Sequence, residues 1–147
     1  MTILMLDLSE PNKLDLAKKT LQSMERTILE DFLGAKNGED PEPIQLSFKG
    51  VRTFQMKNPQ QARIVYIDVV KNDHFVRMQK ITSHLIQTFL DKGITTEKQL
   101  DKIRLDKNTG LWSGEFHLTM MRANRDPIDA KTLMERWGEA FLGKFTL

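Results

Sequence analysis

Apolar residues recur along this chain with two periods, and the switches between them mark its elements. Residues 1–8 (Met-Thr-Ile-Leu-Met-Leu-Asp-Leu) are apolar on both faces except for Asp7, the pattern of a fully buried strand. From Ser9 the period changes to three and four: Leu14, Ala17, Leu21, Met24, Ile28 and Phe32 form one stripe. Ser9 is placed to cap this helix, Pro11 falls in its first turn and Gly34 stops it. After a polar loop at 35–43 the period drops to two. Ile44, Leu46 and Phe48 make one short strand, Gly50 a turn or bulge, and Val51 to Met56 a second. Arg63 to Val70, dense in β-branched residues, is the clearest strand.

A second helix is predicted from Asp73 to about Lys92, with Phe75, Met78, Ile81, Leu85 and Phe89 on its stripe and Gly93 at its end. Residues 94–111 carry no clear period. A strand follows at 115–122. Asp129 then caps a third helix with Leu133, Met134, Trp137 and Phe141, and Lys144 to Leu147 reads as a strand. Strands grouped between helices, rather than alternating one for one, indicate an α+β fold with a suggestion of internal pseudo-symmetry.

Composition narrows the function without naming it. The 147 residues fit one domain. A formal net charge of +2 does not announce a nucleic-acid binder, so any anion site must be local. The absence of cysteine removes thiolate catalysis, disulfides and Cys-based zinc sites, and fits a reducing compartment, cytoplasmic or nuclear. No run reaches the ~18 apolar residues of a membrane span. His74 and His84 stand ten apart on the second helix, on different turns and not at the i, i+3 or i, i+4 spacing of a metal pair, so neither reads as a metal ligand and no metal or cofactor is expected. No glycine-rich phosphate loop is present.

Phe116-His117-Leu118-Thr119-Met120-Met121 does carry chemistry. In a strand, i and i+2 share a face, so His117 and Thr119 project together while Leu118 and Met120 point to the packed side. A hydroxyl can donate to a phosphate oxygen, and an imidazole can move a proton near neutral pH. Met1-Thr2-Ile3-Leu4 has the same pattern without its first residue. Two such pairs across a cleft would supply a base for the attacking hydroxyl and an acid for the leaving oxygen. A lone His-x-Thr is a weak signal, since strand histidines are more often packing or surface residues.

Taken with Thr2 to Leu8, Leu46 to Phe54 (Leu-Ser-Phe-Lys-Gly-Val-Arg-Thr-Phe) and Asp91 to Ile94, the motif resembles the 2H phosphoesterases in order and spacing over nearly the whole chain. This superfamily includes RNA 2′,3′-cyclic phosphodiesterases and 2′,5′-RNA ligase-like proteins. The likeness is greatest to the eukaryotic branch of the kinase-anchoring protein central domain and the activating signal cointegrator subunit. The resemblance implies a bilobal, pseudo-symmetric fold, with antiparallel strands lining a central cleft and helices outside. It implies a metal-free site acting on or binding RNA-type 2′,5′ or 2′,3′-cyclic phosphodiesters. His117 and Thr119 match the second motif and Thr2 the threonine of the first, whose histidine would precede Met1. A single domain over 1–147, shortened at both ends relative to the family, is therefore expected. The alternative is a nucleotide- or RNA-binding module, or a protein-interaction module within a larger assembly, with an incomplete site. A monomer with no membrane association is expected.

Phe54 is a candidate for stacking on a base, against a simpler reading as a core residue. Strict alternation turns Arg122 away from Thr119. Lys49 and Arg52 offer a positive rim around Gly50 or plain surface charge, and Tyr66 reads as core.

Overall fold

The computed structural model describes residues 4–35, 39–100, 103–114 and 116–146. They form two compact units, one comprising 45–72 with the residues from 116 onward, the other 4–44 with 73–114.

The helical unit begins with residues 4–9 outside any helix or strand, where a buried strand was expected over 1–8; residues 1–3 of that expectation lie outside the described residues. Leu4, Leu6 and Leu8 pack against Ala17, Phe89 and Ile94, while Met5 is 80% exposed. The run thus buries one face against helices rather than two in a sheet. Helix α1 spans Pro11–Thr27. Its N-cap is Glu10 instead of Ser9, whose N–H donates to Asp7 Oδ1 at 3.1 Å. A π-helical segment, Ile28–Phe32, extends it, and Gly34 follows with φ +71°. The buried residues of α1 are Ala17, Thr20 and Met24; Leu14 and Leu21 lie largely exposed, so the packed stripe is rotated from the expected one.

Helix α2, Asp73–Asp91, matches its predicted span. Phe75, Met78, Ile86 and Phe89 are buried. The unclear stretch after it resolves into a 3₁₀ turn at Glu97–Gln99 and a small hairpin of β3 (Arg104–Leu105) and β4 (Trp112–Ser113). Trp112 locks the hairpin onto α2. Its backbone N–H donates to Ser83 Oγ at 2.9 Å and its indole N–H to Gln87 Oε1 at 3.0 Å, so a large ring is buried with its polar group satisfied.

The second unit is a four-stranded antiparallel sheet with one helix. Its strands are β1 (Gln45–Thr53), β2 (Ile64–Val69), β5 (His117–Arg122) and β6 (Phe141–Thr146), ordered β5-β2-β1-β6. The two short strands expected around Gly50 are one strand with a bulge: Lys49 pairs Asp68 and Val51 pairs Ile67, leaving Gly50 as the extra residue. Gly50 takes φ +79°, a left-handed conformation that glycine adopts without penalty. Its N–H donates to Ala140 O at 2.9 Å.

Helix α3, Ala130–Trp137, is capped by Asp129, whose side chain accepts from the Lys131 N–H. It packs Ile128, Leu133 and Met134 around the buried Val51, Ala62, Val65 and Ala130. Phe141, expected inside this helix, instead opens β6, because the chain turns at Gly138. Leu118 and Met120, expected to be packed, are 38% and 49% exposed, since β5 is an edge strand of the described sheet.

Candidate functional site

Strand β2 separates two kinds of surface by parity. Val65, Ile67 and Val69 are buried on the α3 side, while Ile64, Tyr66 and Asp68 are only half-buried on the other. Directly opposed residues of antiparallel strands share a face. The pairings therefore lay out the second face in rows: Lys49, Asp68 and His117; then Arg52, Tyr66 and Thr119; then Ile64 and Arg122. His117 and Thr119 stand side by side on this face, as the motif predicts, with His117 half-buried and Thr119 exposed.

Arg122 joins them, against the expectation from strict alternation. Tyr66 pairs Thr119 and Val65 pairs Met121, so Met120 is an extra residue in β5. This bulge resets the parity and returns Arg122 to the face of His117 and Thr119, about 7 Å along the strand from Thr119 at two residues' rise. Among the described residues no carboxylate forms an ion pair with Arg122.

Lys49 and Arg52 are not free rim charges. Arg52 Nη2 lies 3.0 Å from Glu139 Oε1 and Lys49 Nζ 3.2 Å from Oε2, while Arg52 Nη1 donates to Gly138 O at 2.6 Å. The hydrogen bond from Arg52, then that from Lys49, hold the Glu139 carboxyl below the usual carboxylate range. These contacts tie the bulge of β1 to the end of α3.

Phe54 is neither a core residue nor an isolated surface ring. It follows the fully buried Thr53, whose hydroxyl donates to Gln55 Oε1 at 3.0 Å and accepts from the Gln55 N–H at 3.3 Å. Gln55 Oε1 also accepts from the Arg63 N–H at 3.2 Å. This knot ends β1 and sets Phe54 on the His117 face. The Phe54 ring stacks on Tyr66, with centroids 4.6 Å apart and planes at 30°. Both rings contact the imidazole of His117: Phe54 at 5.2 Å and 83°, Tyr66 at 5.0 Å and 54°. Tyr66, expected in the core, is thus part of the site.

Asp68 was also missed. It stands directly opposite His117, with Oδ1 accepting from the Val69 N–H at 2.9 Å. The available signal was the even parity it shares with Tyr66 in a strand whose odd residues are all apolar. Thr2 lies outside the described residues. No three His, Cys, Asp or Glu side chains among the described residues gather as a metal site, and no described helix is long and apolar enough to cross a membrane.

One sheet face thus carries an imidazole, a hydroxyl and a guanidinium, with two aromatic rings against the imidazole. Such a set can hold an anion and move a proton beside it. No curated protein matches the chain at a significant level. A family model does, that of the AKAP7 2′5′ RNA ligase-like domain, over residues 1–147. Its agreement with the α+β fold is consistent with the 2H phosphoesterase superfamily. The chain therefore belongs to the AKAP7 2′5′ RNA ligase-like domain family.

Proposed function

We propose that this domain takes RNA-type phosphodiesters, 2′,5′-linked or 2′,3′-cyclic, at the His117 face and serves as a metal-independent phosphodiesterase site. The observation that carries this reading is the shared face of His117, Thr119 and Arg122 on one strand. The Thr119 hydroxyl donates to a non-bridging oxygen, and Arg122 supplies positive charge to the phosphate. His117 moves one proton: it takes it from the attacking hydroxyl or water, or gives it to the leaving oxygen. The family pattern assigns the other proton transfer to a second histidine and pairs Thr2 with it. Its setting is the cytoplasm or nucleus, as a monomeric domain with protein partners in an assembly. No cofactor enters the scheme.

The test is turnover of a 2′,5′-linked dinucleotide and a 2′,3′-cyclic nucleotide by the protein and by His117→Ala. Loss of roughly 10²–10⁴-fold in the variant is expected. Equal activity in both would overturn the assignment.

A second reading holds a nucleotide on the same face without cleaving it: the stacked Phe54 and Tyr66 rings beside His117 are an aromatic surface there. If neither protein turns over substrate, titration with AMP or CMP decides. Amide shifts at residues 54, 117 and 119 support a binding module, and unmoved amides there remove both readings.

A further inference from the structure

We infer that Tyr66 and Phe54 are positioning residues for His117: their stacked rings form a brace against one side of the imidazole that holds it in one orientation. The inference deepens the phosphodiester reading and rests on it for its consequence, but not for its geometry.

Three rings meet on one sheet face. Each pair of centroids is 4.6–5.2 Å apart, inside the 4.5–7 Å range of favourable aromatic contacts. The planes differ in a way that matters. Phe54 and Tyr66 lie nearly parallel, at 30°, and support one another. Phe54 meets His117 almost perpendicularly, at 83°, an edge-to-face contact. Tyr66 meets it at 54°. An imidazole turns about two side-chain torsions, and its outer torsion is broad and soft. Contacts with two adjoining rings at different tilts restrict both. Both rings stand on ordered backbone: Tyr66 is mid-strand in β2, and the residues on either side of Phe54 are held by the Thr53–Gln55–Arg63 knot just described.

The placement also explains why a strand with an apolar odd face carries a tyrosine on its even face. Tyr66 is the register partner of Thr119, so its backbone sits one row from His117 and its ring reaches diagonally toward the imidazole. The contacts that make the brace are those of the Tyr66 ring, which Tyr66→Phe keeps. What is required is a flat ring.

Tyr66→Phe and Tyr66→Leu separate ring from hydroxyl, with Phe54→Leu as an independent probe of the same brace. The first readout needs no substrate. The carbon-bound imidazole protons of His117 are assigned against His117→Ala, the chain having three histidines. They should keep their ring-current shifts in Tyr66→Phe and lose them in Tyr66→Leu and in Phe54→Leu. The second readout is kinetic. Tyr66→Leu should lower kcat about 10-fold with KM within about twofold, since misplacing a reacting group costs rate more than binding, and Tyr66→Phe should restore it.

Unchanged His117 shifts in both leucine variants would overturn the brace, as would equal losses of kcat in Tyr66→Phe and Tyr66→Leu. If His117→Ala keeps full turnover while the shifts move as expected, the phosphodiester assignment falls and the brace stands. Should Tyr66→Leu fail to fold, Phe54→Leu carries both readouts.

Discussion

Val65 and Tyr66 are neighbours in sequence and belong to different worlds. Val65 is fully buried beneath α3 among Val51, Ala62 and Ala130. Tyr66 stands on the opposite face against Phe54 and His117. The contrast repeats along β2, with Ile67 and Val69 inside and Asp68 opposite His117. One face is chosen for volume and the other for chemistry. The two requirements do not compete because successive side chains of a strand diverge. What keeps the division intact is register, and register is set here by three bulges: Gly50 in β1, Met120 in β5 and Leu142 in β6. Each adds one residue to its strand and changes which side chains lie on which face.

The strongest way to break this division is at Gly50. A Cβ there would lie 2.4 Å from Gly138 O, at a φ of +79° that a side chain strains to adopt. The obstacle is backbone, so it cannot step aside. Gly50→Ala should cost about 3 kcal/mol of stability, combining left-handed strain with overpacking. A drop in the urea midpoint with unchanged m value would report it. A stability within error of the parent protein would mean that the α3–β6 connection yields and that the bulge is not pinned there. Because Val51 relies on the bulge to reach the core, His117 resonances should shift as well.

A cleaner test of the two faces is Val65→Ala. Deleting two methyl groups from a fully buried site should cost about 2 kcal/mol, the transfer loss plus a partial cavity. The imidazole shifts of His117 should remain in place, because the site side chains lie across the sheet. Large changes in those shifts would show that the faces are coupled, and would undo the comparison.

Much of this organisation is legible in the sequence where a local pattern decides the structure. Helix α2 and strand β2 carry strong periods and appear where predicted, and the parity of His117 and Thr119 follows from the strand alone. Gly50 signals a turn or bulge, because glycine takes a left-handed backbone without penalty, but not that one strand runs through it. The bulge at Met120 does not announce itself, since two successive methionines read as ordinary strand; the sheet register chooses it, and Arg122 is misplaced by one face without it. Helix α1 shows the same limit. Leu14, Ala17, Leu21 and Met24 form a reasonable stripe, but tertiary contacts select Ala17, Thr20 and Met24. The aromatic brace is the least legible part. Phe54, Tyr66 and His117 are far apart in the chain, and only the pairing of three strands brings their rings together.

The smallest effect concerns the charges that fasten the β1 bulge to α3. Glu139 accepts from Arg52 and Lys49, and its carboxyl is held below the ordinary range, first by the Arg52 hydrogen bond and then by that of Lys49. A folded-state pKa below the unfolded one means the contribution is complete above the unfolded value. It is lost as pH falls through the folded value. Glu139 is solvent-exposed, so screening keeps the effect small. Glu139→Gln should therefore lower the urea midpoint slightly at neutral pH, and the gap to the parent protein should close on acidification through the carboxylate range. Added salt should narrow it too. The deficit of Gly50→Ala, being steric, should persist under both treatments. A Glu139→Gln deficit that ignores pH and salt would mean that the carboxylate acts through packing or hydrogen-bond geometry, and that charge plays no part in holding the bulge against α3.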